Sequence, residues 1–253
     1  MTRPISGYGW IPDLPDFRDH RYTVASAIAT ALPAQADLRD QCPDVYDQGH
    51  LGSCTANAIG GALQFDQIRQ KQPDFVPSRL FIYYCEREVE GSINSDSGAM
   101  IRDGIKCVNR LGAPPETDWA YDITKFTQKP PQKAYTDAEQ HQALKYQRVE
   151  QTVDDMKGCL ASGLPFVLGF AVYESFESAE VAKSGDAPMP EQGEKQLGGH
   201  AVLAVGYDDS TGRFLIRNSW GDGWGKKGYF TLPYEYLTNS GLADDFWVVQ
   251  SVE

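Results

Sequence analysis

The chain has few of the residues that most catalytic chemistry uses: four histidines and five cysteines in 253 residues. Cys42, Cys54, Cys85, Cys107 and Cys159 are odd in number and widely spaced. That pattern fits neither a disulfide framework nor a Cys-x2-Cys zinc site, and His-x3-His spacing is missing as well. No metal and no cofactor are expected. Basic residues are also short: 23 Lys and Arg stand against 35 Asp and Glu, a net charge of −12 that repels phosphate backbones and anionic lipid. Nucleic acid and membrane surfaces are therefore not expected partners. Long apolar runs are absent, since "PFVLGFAV" and "HAVLAVGY" are each far shorter than the roughly twenty residues a membrane helix needs. The opening "MTRPISGYGWIPDLPDF" is broken by prolines before a secretory core could form. The expectation is a monomer in the reducing cytoplasm, with export lacking a cleavable signal left open.

What is present suits a folded body of one compact unit: hydrophobic residues make up 41% and charged residues 23%. Residues 1–31 form a turn-rich preface ending in "TVASAIATAL", room for a helical turn or two. "GSCTANAIGGALQFDQIRQKQP" reads as a buried helix with Ser53 as N-cap and Pro73 just past its end. Gly60 and Gly61 within it predict close packing against a neighbour. "PSRLFIYYCEREVEG" and "SGAMIRDGIKCVNRLG" read as two further helices, the second stopped by Gly112. After "KPP" at 129–131 come one short helix, "TVDDMKGCLASG", and strand-like runs: "PFVLGFAVY", "GHAVLAVGYDD", "RFLIRNSW", "KGYFTLP" and "DFWVVQSV". "DDSTG" reads as a hairpin turn, and "SAEVAKSGDAPMPEQGEKQ" as an exposed loop beside the cleft. A helical half followed by a β half predicts an α+β protein with a cleft between two lobes.

Cys54 falls at the predicted start of a helix, where free backbone N–H groups and the helix dipole favour a thiolate. A thiolate needs a basic partner, and only His20, His50, His141 and His200 are available. His50 lies in the loop before Cys54; His20 and His141 fall in polar segments and read as solvated surface residues. His200 opens an apolar strand after two glycines, and 18 residues on comes Asn218, at the end of another strand and followed closely by Trp220. A carboxamide accepting from one imidazole nitrogen fixes the tautomer and aims the other nitrogen at a thiol. Trp220 is placed to screen that hydrogen bond, though plain core packing explains it equally. Gln48, six residues before Cys54, could donate with the Cys54 backbone N–H to an oxyanion.

"QGHLGSCTANA", "GGHAVLAVGY" and "NSWGDGWGKKGYF", in this order, resemble the three signature blocks of papain-like cysteine proteases. "LPAQADLRD" resembles the start of the mature enzyme, so the resemblance covers residues 32–253. It implies a two-lobe papain-like fold, with a helical left lobe at about 50–125. The right lobe would be an antiparallel, β-barrel-like unit from about 32–49 and 130–253, the active site lying in the cleft. Cys54 would be the nucleophile, His200 the general base and acid, Asn218 the orienter and Gln48 the oxyanion donor, with Ser53 and Trp220 in support. Substrates would be peptides or proteins, cleaved through a thioester acyl-enzyme. Thr55 stands where the family has an aromatic, and Leu51 where it has a cysteine, which points to a disulfide-poor, bacterial-type branch.

Gly98 in "SDSGAM" takes the place of the strip that binds substrate backbone. Gly169, Gly199 and Ala201 resemble the walls of the main specificity pocket, with Asp244 or Asp245 near its base, an arrangement that would accept a basic side chain. Residues 1–31 are too short for the family's helical pro-segment. They either cross the cleft and limit access, zymogen-like, or wrap the back of the β lobe. An acyl or peptidyl transferase on the same fold, and a binding protein with a relic site, are the rival readings.

Overall fold

The computed structural model describes residues 8–29, 31–142 and 145–250, so the first seven residues of the N-terminal preface, Thr30, Ala143, Leu144 and the last three residues of the chain lie outside it. The elements run in the order β1 (Trp10–Ile11), α1 (Ser26–Ala29), β2 (Gln35–Asp37), α2 (Cys54–Gln70), α3 (Arg79–Val89), β3 (Ala99–Met100) and α4 (Ile101–Leu111). They continue with α5 (Gln132–Ala138), β4 (Lys145–Arg148), α6 (Val153–Ala161), β5 (Phe166–Tyr173), α7 (Ala179–Ser184), β6 (Gln196–Asp208), β7 (Arg213–Arg217), β8 (Tyr229–Pro233), α8 (Tyr234–Thr238) and β9 (Ala243–Gln250). Helices thus fill the first half and strands the second, the α+β arrangement expected. Seven of the strands form one antiparallel sheet in the order β4-β9-β5-β6-β7-β8, with β2 paired to β6, and β1 and β3 form a separate pair. The sheet is not a closed barrel.

Every residue of α2 from Cys54 to Gln67 is buried, so its sequence shows no apolar stripe, and its polar members Thr55, Asn57, Gln64 and Asp66 are hydrogen-bonded inside. The helix lies between α3 and α4 on one side and β6 on the other. Its two glycines permit that approach: a Cβ on Gly60 would stand 3.3 Å from Arg79 Cγ, and one on Gly61 would stand 3.0 Å from Arg217 Nη1. Burying α2 between the lobes places its N-terminus, and therefore Cys54, at their seam. The other helices begin and end as their sequences specify: Ser78 caps α3 by accepting from Phe81 N at 3.2 Å, Thr152 caps α6 through Asp155 N, and α4 stops at Gly112.

Three expectations need correction. The stretch 178–196 is not simply an exposed loop: Ser178 caps α7, and Val181 and Ala187 are buried. Two elements between 132 and 148 carried no signal, α5 because it is short and polar, and β4 because "KYQR" is a half-exposed edge strand without alternation. His141 is half-buried, its ring 4.4 Å from that of Phe75, rather than a solvated surface residue.

The preface contacts both lobes. Residues 8–13 cross the helical lobe, where β1 pairs in parallel with β3, Trp10 opposite Ala99. Further on the chain follows the edge of the sheet: Arg148 N donates to His20 O, Tyr22 N donates to Arg148 O, and Val24 packs over Gly158 of α6.

Candidate active site

Strand β6 carries His200 at the seam, opposite Phe170 of β5 and beyond the glycine pair 198–199. Strand β7 ends at Arg217, so that Asn218 is the first residue of the following turn, anchored by its N–H to Gly228 O at 2.9 Å. His200 Nε2 lies 2.8 Å from Asn218 Oδ1. That same Oδ1 accepts from Ser219 N at 2.9 Å, which fixes it as the acceptor and makes Nε2 the protonated nitrogen. Nδ1 is then the basic nitrogen. Trp220 stacks on the imidazole at 4.9 Å and 23°, and covers the His200–Asn218 bond from solvent.

Gln48 is buried, its backbone N–H donating to Ser219 O at 2.9 Å. Its carboxamide is oriented at both ends: Ser219 Oγ donates to Oε1 at 2.6 Å, while Nε2 donates to Leu51 O at 2.9 Å. One N–H of that amide is spent on Leu51, and the other remains for a ligand. Ser219 therefore ties Gln48 to Asn218, a link its place beside Asn218 in "NSW" could have suggested. Ser53 occupies the N-cap position but does not cap α2, because its φ and ψ of −95° and 27° are not extended. Its hydroxyl instead lies 2.5 Å from Tyr121 Oη and accepts from Asn57 Nδ2. Tyr121 in turn donates to Gln48 O at 2.9 Å. Nothing in the local sequence pointed to Tyr121.

Asp96 is a second unforeseen organiser. It accepts from Gly52 N at 3.0 Å and from Tyr83 Oη at 2.5 Å, and Gly98 N donates to Tyr83 Oη, so the loop before Cys54 and the Gly98 strip are held together.

The segment 8–13 lies directly over these groups. Ala99 N donates to Gly9 O at 2.8 Å, and Gly9 passes so close that a Cβ on it would stand 1.7 Å from Gly52 O. Tyr8 lies edge-on to His200 at 6.1 Å and donates to Glu177. The indole of Trp10 covers Gly169 and Gly199, where added Cβ atoms would stand 2.0 and 2.6 Å from it. Ala201 is paired in register with Gly169 and is buried. Asp245, fully buried with φ of +59°, accepts from Trp10 Nε1 at 3.0 Å and from Asp13 N at 2.8 Å. Its neighbour Asp244 is half-exposed and accepts from Arg148 at 3.1 Å. Of the expected substrate-strip and pocket residues, Gly98, Gly169, Gly199 and Asp245 thus surround the preface, while Asp244 turns to Arg148.

This cover reverses the electrostatics expected of the thiol. Burial pushes Cys54 up to about 12, against hydrogen bonds with the backbone of Ala201 and Gly9. Burial also lowers His200 to about 4, against its bond to Asn218. With the segment in place, burial favours the neutral thiol and the neutral imidazole. The helix start alone does not overcome desolvation.

A helical lobe against an antiparallel sheet, with thiol, imidazole and two carboxamides brought to the seam, defines a thiol-dependent hydrolase. The family model for papain family cysteine proteases matches residues 32–249, and the chain belongs to that family. It is 43% identical over 277 aligned positions to an uncharacterised peptidase C1-like protein of Acanthamoeba polyphaga mimivirus, covering 99% of this chain and 89% of that one. The crystal structure of xylellain, a cysteine protease from Xylella fastidiosa, superposes with a TM-score of 0.92 at 49% identity, covering 99% and 98% of the two chains. The fold also matches procathepsin B of Trypanosoma congolense, with a TM-score of 0.74 at 16% identity, covering 98% and 87%. The protein is a papain-like cysteine protease, and its substrates are peptides or proteins.

Proposed function

We propose that Cys54, His200, Asn218 and Gln48 carry peptide-bond hydrolysis, and that residues 8–13 hold the enzyme closed until they are displaced. The observation that supports this most is the fixed tautomer of His200, with Nε2–H on Asn218 and Nδ1 left basic. Once the segment leaves and water returns, Nδ1 takes the proton from Cys54 Sγ, and the thiolate adds to the scissile carbonyl carbon. The oxyanion accepts from the remaining Gln48 Nε2–H and the Cys54 backbone N–H. Collapse breaks the C–N bond, and the imidazolium gives its proton to the leaving amine. Water, deprotonated by the same imidazole, then adds to the thioester carbon. The second collapse releases the carboxylic acid product and returns the sulfur to Cys54.

The test is intact-mass analysis of the full chain with an epoxysuccinyl peptide under reducing conditions, followed by peptide hydrolysis assays. One adduct mapped to Cys54 is expected, lost in Cys54→Ala and slowed at least a hundredfold in His200→Ala. No adduct on Cys54 in the full chain would mean that the segment shuts the site, and no adduct in folded Gly9→Ala either would sink the catalytic reading. Amide rather than acid products in the presence of an added amine would move the reaction to acyl transfer.

A further inference from the structure

We propose that the pocket now filled by Trp10 selects an indole, or a comparably large aromatic group bearing an N–H donor, from the substrate, and that Asp245 sets this preference. The proposal rests on the catalytic reading above, since it concerns the pocket beside that site.

The pocket has three properties that act together. Its walls are widened at two places, Gly169 and Gly199, where any Cβ would collide with the indole. Its floor is Asp245, whose carboxylate is aimed inward by a bulge in the sheet: β5 and β9 pair Val167 with Trp247 but Gly169 with Asp244, and the extra residue takes a left-handed φ. The Oδ2 of Asp245 receives two donors, Trp10 Nε1 and Asp13 N, both from the preface. When the preface leaves, that buried oxygen loses both. A buried acceptor stripped of its partners is costly, so a ligand that restores an N–H there gains over one that only fills the space.

The charge left behind decides against a basic side chain. Asp13 departs with residues 8–13, while Arg148 stays on the pocket floor and holds Asp245 Oδ1 at 2.9 Å and Asp244 Oδ1 at 3.1 Å. An incoming lysine or arginine would meet a carboxylate already paired with Arg148 and lose its hydration. A neutral donor meets no such penalty.

The experiment uses the full-length protein and peptidyl fluoromethyl ketones that differ only in the second residue before the reactive carbon: Trp, 1-methyl-Trp, Phe or Arg. Displacement of the preface is common to all four, so its cost cancels in the ratios of inactivation rates. Trp should react about 10-fold faster or more than 1-methyl-Trp and Phe, the advantage of a hydrogen bond to a charged acceptor. Asp245→Gly, which suits the left-handed φ, should remove the gap between Trp and 1-methyl-Trp. In parallel, Trp10→Phe and Trp10→Arg in the full chain are read by iodoacetamide labelling of Cys54. Both should label faster than wild type, Trp10→Arg the more so. Arg as the fastest peptide, or slower labelling in Trp10→Arg, would show a cation pocket and overturn the assignment. Equal rates across the peptides with Cys54 labelled normally would overturn it while leaving the catalytic reading intact. Cys54 unlabelled in every variant would overturn both.

Discussion

Glu86 sits wholly inside the helical lobe, one side-chain length from the start of α2, and accepts from Thr55 Oγ1 at 2.8 Å while its other oxygen has no hydrogen-bond partner. Burial raises its carboxyl well above the ordinary range, which favours the neutral acid. A folded-state value above the unfolded one gives stability that is complete below the unfolded value and is lost as pH rises through the folded one. Glu86→Gln should therefore match wild type near pH 4 and exceed it at pH 8, by on the order of 1 kcal/mol or more, about 2–4 °C in Tm for each kcal/mol. Thermal melts across that range check this, and a gap that does not grow with pH would refute it. Cys54 and His200 stand out in the sequence because their residue types are scarce, whereas Gln48, one of sixteen glutamines, and Asn218 are legible only through the motifs that carry them. Thr55 was legible as a departure, but its partner was not: Glu86 is 31 positions away, and nothing in "CEREVEG" separates a buried glutamate from its exposed neighbours.

At the scale of elements, the short strand β1 covers the cleft with two main-chain strands and three glycines in contact. Gly9, Gly52 and Gly98 approach so closely that a Cβ on Gly9 would stand 1.7 Å from Gly52 O, and one on Gly98 would stand 2.3 Å from Gly9 O. Backbone oxygens cannot swing aside as a flexible side chain could. Gly9→Ala should lift residues 8–13 and raise the rate of Cys54 alkylation by about 10-fold or more, with the melting of the body unchanged. Equal alkylation rates would mean that the segment does not limit access. The aromatic and proline content of the preface announced a packed segment. Its path could not be read, because two residues of strand carry no periodicity and the sites it meets, at 52, 98, 169, 199 and 245, come from distant parts of the chain.

For the whole molecule, the two lobes and the preface meet in one buried ionic cluster. Asp13 accepts from Arg102 N and Trp247 Nε1, lies 3.4 Å from Arg148, and faces Asp245; Asp19 lies 3.2 Å from Arg102 and 3.4 Å from Arg148. Burial, then repulsion from Asp245, pushes Asp13 up to about 7, against its bonds from Arg102 and Trp247. A docked value raised above the free one means that docking is favoured at acid pH and weakens as pH rises through about 7. Cys54 alkylation should thus rise between about pH 4 and pH 7 more steeply in wild type than in Asp13→Asn, whose docking has no such proton to lose. Parallel profiles in the two proteins would rule out Asp13 as the sensor.

By itself the sequence determined the α+β order, the family and the buried course of α2, since each rests on local spacing or on motifs. Only the tertiary structure decided that Cys54 is wholly buried under the preface, that Ser219 and Tyr121 hold Gln48, and that Asp245 faces the pocket while Asp244 is half-exposed. Those outcomes depend on what is buried beside what, and burial depends on segments far apart in the chain meeting in one place.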